Sequence, residues 1–282
     1  MAARPRGGHV PAPDMRFGGL LSRRLRKDAR LRYARDMTCQ LPSDEEIRAV
    51  DLSWKRYLLP AIHPEGGKIL AAEFLVFGLL GALGFLPHCA AFFAFWGLGA
   101  ALLVFSFYFF RNPPRVPPLD PDAILAPADG IVSNVLPLVP PPEMGLGGKP
   151  LVRVSIFMSV FSVHVNRAPA AGRVSALRYV PGKFLSVQDK DSEDNERQLI
   201  SLDMDRGEKL GVVQIAGLVA RRIHCPLAVG DRLAAGEVFG MIRFGSRLDV
   251  FLPEGAALCV RPGQVAVAGE TVLARLPAKD TP

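Results

Sequence analysis

From Ile124 onward, short runs of β-branched and apolar residues alternate with turns rich in Gly, Pro and Asp. Examples are Gly130-Ile131-Val132, Val152-Arg153-Val154-Ser155-Ile156 and Gly211-Val212-Val213-Gln214-Ile215. That rhythm predicts strands with few helices, so residues 124–282 read as a mainly β domain of barrel or sandwich type. The block before it is patterned differently. Leu70 to Leu86 holds one charge, Glu73, and Cys89 to Phe110 holds none, with Pro87-His88 between the two runs. Each run is close to the roughly 20 apolar residues that cross a hydrocarbon core, the first at the short end. Lys68 precedes the pair, and Arg111 and Arg115 follow it, so both ends carry the charge that stays cytoplasmic. The expectation is an α-helical membrane hairpin within residues 57–110. A helical pair buried in a soluble core is the alternative. Pro113, Pro114, Pro117, Pro118 and Pro121 then exclude a helix, because proline lacks the amide donor and clashes within one. Residues 111–123 therefore read as a stiff linker.

An internal echo refines the β region. Val229-Gly230-Asp231 with Ala235-Gly236-Glu237 returns 33 residues later as Pro262-Gly263-Gln264 with Ala268-Gly269-Glu270. In each copy one glycine supplies a turn and a second ends the next strand. Such paired hairpins resemble those of lipoyl-like hybrid barrels, and Gly245-Ser246 falls on the segment between the copies.

Composition and charge narrow the partners. The chain has 282 residues and a net charge of +7, and its mean hydropathy of +0.22 owes its excess to the apolar block. Ten Lys and Arg residues between Arg4 and Arg35 face only Asp14 and Asp28 in that stretch. No aromatic interleaving or nucleic-acid motif accompanies them, so residues 1–56 are expected to be a basic extension at an anionic membrane surface, with no nucleic-acid partner. A disordered tail fits equally well. The first residues lack the apolar core of a cleavable signal peptide. Cys39, Cys89, Cys225 and Cys259 show neither metal-ligand spacing nor a disulfide framework, so no metal is expected.

The segment Arg243-Phe244-Gly245-Ser246-Arg247-Leu248 holds the sharpest candidate chemistry. A serine hydroxyl beside a residue without Cβ can approach the preceding carbonyl, take the upstream chain as an ester by an N-to-O shift, and release it by β-elimination. The residue left behind is a pyruvoyl group. Gly-Ser alone is also an ordinary turn dipeptide, so context decides. Upstream stand Ala126-Pro127-Ala128-Asp129-Gly130 and the run Phe157 to Pro169, which contains Val163-His164-Val165-Asn166-Arg167. Pro60-Ala61-Ile62-His63-Pro64-Glu65-Gly66, Asn195-Glu196-Arg197 and Val213-Gln214-Ile215-Ala216-Gly217 add weaker matches. In this order and spacing, the segments resemble the phosphatidylserine decarboxylase proenzymes, in particular their short bacterial form, from about Leu59 to Leu276.

The resemblance implies a membrane enzyme on the cytoplasmic face of the cell membrane that self-cleaves between Gly245 and Ser246. Its cofactor would be a pyruvoyl group derived from Ser246, and its partners a phospholipid substrate and the membrane. The two cleavage products would stay together as an α/β heterodimer. The chemistry is coherent: removing carbon dioxide from an α-amino acid leaves electrons beside the nitrogen that no ordinary side chain can accept, whereas a pyruvoyl carbonyl can. By the same resemblance, Ser246, His164 and Asp129 are catalytic, with His164 as the base for the Ser246 hydroxyl and Asp129 as its orienter, following triad logic. Some family members have a second histidine three positions after the first; Arg167 stands there in this chain. Asn195, Glu196 and Arg197 are candidates for contacting the substrate's carboxylate or phosphodiester, with a solvated loop as the bland reading. His224 is a further titratable candidate, while His63 and Glu65 receive no chemistry. Two alternatives remain: a decarboxylase of another serine-headgroup phospholipid, and a membrane-anchored lipoyl-like binding module. The second needs a lysine at a hairpin tip, and none occurs between Lys209 and Lys279. A serine hydrolase is disfavoured because Phe244-Gly245-Ser246-Arg247-Leu248 is not a G-x-S-x-G elbow.

Overall fold

The computed structural model describes residues 60–83, 90–183, 194–217, 222–243 and 246–278. The basic extension and Gly245 lie outside the described residues. The two apolar runs form helices α1 (Pro64–Leu83) and α2 (Ala90–Phe109). Their packing is antiparallel and close. A Cβ at Gly99 would fall 2.7 Å from the Phe77 ring and one at Gly81 would fall 2.0 Å from the Trp96 ring, so both glycines serve approach rather than backbone freedom. The single charge in the first run is matched across the pair, where Ser106 Oγ donates to Glu73 at 2.8 Å. Strands β1 (Ala61–Ile62) and β2 (Arg111–Asn112) pair antiparallel and tie the two ends of the hairpin together.

Among the described residues no helix is long and apolar enough to cross a membrane. The helical pair is built onto the β domain at one end. Helix α1 carries Glu65, Lys68 and Glu73 along its length. The end of α2 belongs to the protein core: Phe109 and Phe110 are buried with Val163, Val165 and Met241, each contributing roughly 1.5–3 kcal/mol by leaving water. The outer surface of the pair is still apolar, with Phe74, Leu75, Leu79, Phe93, Leu98 and Val104 exposed.

Beyond the linker come β3 (Ala123–Leu125), β4 (Gly130–Leu138), β5 (Leu151–Met158), β6 (Val165–Arg167), β7 (Gly172–Val180) and β8 (Arg197–Met204). They are followed by β9 (Lys209–Ala216), β10 (Ile223–His224), β11 (Arg232–Leu233), β12 (Val238–Ile242), β13 (Ser246–Phe251), β14 (Ala257–Leu258), β15 (Val265–Ala266) and β16 (Val272–Arg275). The fold is mainly β, as the alternation predicts. Eight strands form one antiparallel sheet in the order β11-β7-β8-β9-β13-β5-β4-β15. Two three-stranded sheets, β10-β12-β6 and β14-β16-β3, accompany it.

The repeat in the sequence is a repeat in the structure. Gly230 and Gly263 both take positive φ, 99° and 88°, as do Gly236 and Gly269 at 77° and 76°. Their bonds correspond as well: Gly236 N–H donates to Ala168 O and Gly269 N–H to Ala126 O, both at 2.8 Å. The acceptors identify a second pair of copies. Ala126-Pro127-Ala128-Asp129-Gly130-Ile131-Val132 matches Ala168-Pro169-Ala170-Ala171-Gly172-Arg173-Val174. Each opens a long strand that bulges shortly afterwards, between Val132 and Asn134 or between Val174 and Ala176. Gly130 and Gly172 are required by closeness, since a Cβ would lie 2.1 Å from Phe157 O and 2.4 Å from Asp203 O. The eight-stranded sheet is thus two similar halves meeting at β9 and β13, and Asp129 has only Ala171 as its counterpart.

Candidate active site

Period-2 alternation along β13 divides its side chains between two faces. Leu248 and Val250 join the main core with Ile156, Val154 and Val212. Arg247, Asp249 and Phe251 face the other side, where they line a separate cavity. Ser246 shares the face of Leu248 and is fully buried. Opposite it in the ladder stand Met158, the last residue of β5, and Ala216, the last residue of β9. The same end of the sheet carries the start of β4, next to Asp129, and the start of β8, where Asn195 Nδ2 donates to Ala216 O at 2.9 Å. The order of strands therefore brings Ser246, Asp129 and Asn195, distant in sequence, to one end of the sheet.

His164 is delivered by the neighbouring small sheet. It immediately precedes β6, whose Val165 pairs with Met241 of β12, and its carbonyl accepts the Ile242 N–H at 3.4 Å. Ile242 is four residues before Ser246, so their backbones are at most about 14 Å apart. The imidazole is fully buried, with its ring centroid 4.1 Å from that of Phe109. Its Nδ1 lies 2.9 Å from Ser162 O. A carbonyl only accepts, so Nδ1 carries the proton and Nε2 carries the lone pair. Burial pushes the imidazole pKa down to about 4, with Arg111 acting in the same direction and the Ser162 bond opposing both. The ring is accordingly neutral near pH 7.

Two buried polar atoms here, His164 Nε2 and Ser246 Oγ, have no hydrogen-bond partner among the described residues. A buried group left in this state costs roughly 1–3 kcal/mol, so such groups call for a functional explanation. Beneath Ser246 runs a polar chain that sequence reasoning assigned no role. Gln214 Nε2 donates to Asn166 Oδ1 at 2.8 Å, and Asn166 Nδ2 lies 3.8 Å from the sulfur of Met158, the cross-strand partner of Ser246. The signal was a glutamine on the inward side of an otherwise apolar strand.

Asp129 departs from the expected triad. Its Oδ2 accepts from Arg115 Nη2 at 2.6 Å and its Oδ1 from the Ala268 N–H at 2.7 Å, while His164 is oriented by Ser162 instead. The linker arginine supplies a full charge at contact distance, which an imidazole held neutral cannot match. Burial raises the Asp129 carboxyl above its ordinary range, opposed by the Ala268 N–H and by Arg115, Arg111 and Arg167. Arg167, at the position of the family's second histidine, donates to Asn112 Oδ1, Pro113 O and Gly236 O. Its work is to fasten the linker to the β domain.

The remaining candidates are spread out. Glu196 is buried and bonded to Tyr179, raising that phenol's pKa, although burial is the larger cause. Arg197 lines the cavity on the face opposite Ser246. His224 stacks edge-on with His63, ring centroids 5.8 Å apart, beside the ion pair of Glu65 with Arg243. Burial is the main cause lowering the His63 pKa. Among the described residues no group of three or more His, Cys, Asp or Glu side chains is placed to hold a metal ion.

Comparison with known proteins gives the family. The family model for phosphatidylserine decarboxylase matches residues 102–274, which include Asp129, His164 and Ser246. The phosphatidylserine decarboxylase proenzyme of Ruegeria pomeroyi is 50% identical over 226 residues, covering 77% of this chain and 96% of that one. The proenzyme of the same name from Cereibacter sphaeroides is 56% identical over 180 residues, covering 64% and 78%. With a family-model match over more than half its length and a relative that it covers over 96% of that relative's length, the chain belongs to the phosphatidylserine decarboxylase family.

Proposed function

We infer that this chain cuts itself between Gly245 and Ser246 and, with a pyruvoyl group made from Ser246, converts phosphatidylserine to phosphatidylethanolamine and carbon dioxide. The observation that carries this reading is Ser246: the first residue of a central strand, fully buried, its hydroxyl without a partner among the described residues. That setting fits a pyruvoyl group. Both neighbours of β13 hold it along its whole length, so a new chain end at 246 stays in place after cleavage. When formed, the pyruvoyl carbonyl engages the substrate amine and supplies the electron sink for loss of carbon dioxide.

His164 serves the maturation step. Its Nε2 lone pair takes the proton of Ser246 Oγ as the oxygen bonds to the Gly245 carbonyl carbon. The Gly245–Ser246 amide bond breaks, and the proton passes to the departing nitrogen. An imidazole with a pKa of about 4 gives up such a proton readily. Loss of the Cα proton of residue 246 then expels the Gly245 carboxylate from Cβ. The enamine so formed takes a proton at Cβ to become an imine, and water replaces its nitrogen, which leaves as ammonia. In turnover, a proton must replace the lost carboxylate on the substrate carbon, and His164 is the group suited to relay it. Asn195 anchors the strand end beside Ser246 through Ala216, and Asp129 fixes the linker through Arg115.

The exposed apolar side chains of α1 and α2 are read as the face that meets lipid, on the cytoplasmic side, with the repeated hairpins supporting a lipoyl-like barrel behind it. Replacing Leu75, Leu79 and Leu98 with glutamate should therefore release the folded protein from phosphatidylserine vesicles, as followed by flotation. Unchanged flotation would leave the basic extension as the anchor. The function itself is tested by supplying the purified chain with phosphatidylserine in mixed micelles. Equimolar phosphatidylethanolamine and carbon dioxide are expected, with no turnover of free serine. Failure to decarboxylate phosphatidylserine under conditions where the chain is cut would refute the substrate assignment.

A further inference from the structure

The chain changes sheets at the point where it is read to be cut. Strand β12 ends at Ile242 in a three-stranded sheet, and β13 begins at Ser246 in the eight-stranded one. Downstream, Ser246 is fixed by ladders to both β5 and β9. Upstream, Arg243 is fixed through its N–H, which donates to Arg222 O at 3.2 Å. Gly245 follows Arg243 by two positions, so their Cα atoms are within about 7 Å of each other. The carbonyl that Ser246 attacks belongs to this upstream side, and a nucleophile reacts only from about 3–3.5 Å. Where Arg243 sits therefore bears on whether the bond can be broken.

Arg243 is held by its side chain as well. Its Nη2 donates to Glu65, 178 residues away in sequence. The two side chains are 20% and 15% exposed, so salt and water screen the pair far less than a surface pair. Glu65 stands in the first turn of α1, where the helix dipole favours a carboxylate, and that turn is anchored to the β domain. His63 N–H donates to Phe110 O at 2.9 Å, and His63 O accepts from Gly66 N–H at 2.8 Å. A Cβ at Gly66 would clash with the side chain of Phe110, which is core. His63 is buried and meets the His224 ring edge-on, and His224 pairs with Met241, two residues before Arg243. The segment Ile62-His63-Pro64-Glu65-Gly66 thus forms a fixed seat for one carboxylate that reaches Arg243.

We propose that Glu65 is a positioning residue for self-cleavage: by holding Arg243 it sets the acyl side of the Gly245–Ser246 bond against the Ser246 hydroxyl. This role rests on the reading that the chain cuts itself there. Once the bond is broken, Arg243 belongs to the end of the other piece, and its grip on Glu65 no longer bears on the reacting group. Glu65 therefore governs the making of the pyruvoyl group and not its use, which separates it from His164.

Cutting of the full-length chain is timed after a pulse of cell-free synthesis, by the appearance of the two pieces, and phosphatidylserine turnover in mixed micelles is expressed per cut chain. Glu65→Gln should cut about tenfold more slowly or worse, toward the roughly 10²-fold that an ångström of misplacement costs. Its melting temperature and its turnover per cut chain should be unchanged. Lys68→Gln removes the other, exposed partner of Glu65 and should cut at the unaltered rate. Arg243→Gln should be slow too, and the double variant Glu65→Gln, Arg243→Gln no slower than the slower single one, because the two residues act through one contact. Arg243→Lys keeps the charge without the fork, should cut at an intermediate rate, and is the form to read if Glu65→Gln does not fold. Cutting at the unaltered rate in Glu65→Gln, or in Arg243→Lys where that form is read, overturns the proposal and leaves self-cleavage standing. Multiplied losses in the double variant do the same, as does an equal loss of cutting and of turnover per cut chain, the mark of a merely structural role. An unaltered chain that is never cut removes self-cleavage itself and the proposal with it.

Discussion

Ser246→Ala should yield one uncut chain of 30.5 kDa with no decarboxylase activity, while the unaltered protein separates under denaturing conditions into two pieces meeting at Gly245 and Ser246. The effect is total because the substitution removes both the nucleophile and the source of the carbonyl, and no other residue supplies an electron sink. It should not act by unfolding the protein. Ser246 is fully buried with its hydroxyl unpartnered among the described residues, and exchanging such a hydroxyl for hydrogen relieves a desolvation penalty of about 1–3 kcal/mol. The melting temperature should therefore hold or rise. Ser246→Thr and Ser246→Cys keep a nucleophile and should cut slowly. Before denaturation the two pieces should travel together without a disulfide, because β13 is hydrogen-bonded to β5 and β9 on both sides. An active chain that is never cut, or an unmodified serine found at the start of the smaller piece by mass spectrometry, would disprove the pyruvoyl reading.

The features of this fold that are local in the chain were open to reading in advance; those that depend on distant pairing were not. Alternation along Val152 to Ile156 marks a strand, and the glycines at 230, 236, 263 and 269 mark turns, because each is a property of a few neighbouring residues. The fate of Phe109 and Phe110 is different. Their sequence is indistinguishable from the rest of an apolar run, and only the arrival of Val163, Val165 and Met241 makes them core. Arg197 likewise stands beside Asn195 in sequence, yet the register with Ile215 and Arg247 turns its side chain into the far cavity. The resemblance made Asp129 the orienter of His164, while the partner it has in the structure, Arg115, sits in a proline-rich linker with no pattern to announce it. The match between Ala126–Val132 and Ala168–Val174 was legible and carries information: the two segments have the same architectural task, and the carboxylate at 129 is absent from the copy. Strand geometry alone therefore does not require it.

His164→Ala should slow self-cleavage by roughly 10²–10⁴-fold, the range expected for loss of a positioned base. The change leaves a gap against Phe109, so folding must be checked beside it. His164→Gln keeps more of the volume and a donor to Ser162 O but no titratable lone pair, and should fail similarly. The pH profile of maturation separates this role from a merely structural one. A neutral imidazole is the active form, and burial holds the pKa at about 4, below the ordinary histidine value near 6.5. Cleavage should thus run at a constant rate from pH 8 down to about 5 and fall only as the pH drops through 4, whereas an exposed histidine base would already lose half its activity near 6.5. Asp129→Asn should reduce the rate less than His164→Ala without moving that profile, because Asp129 binds Arg115 and Ala268 rather than the imidazole. Normal maturation in a folded His164→Ala protein would transfer the base to another residue, with His224 the first to test. Normal maturation without decarboxylation would instead confine His164 to relaying the proton that replaces the carboxylate.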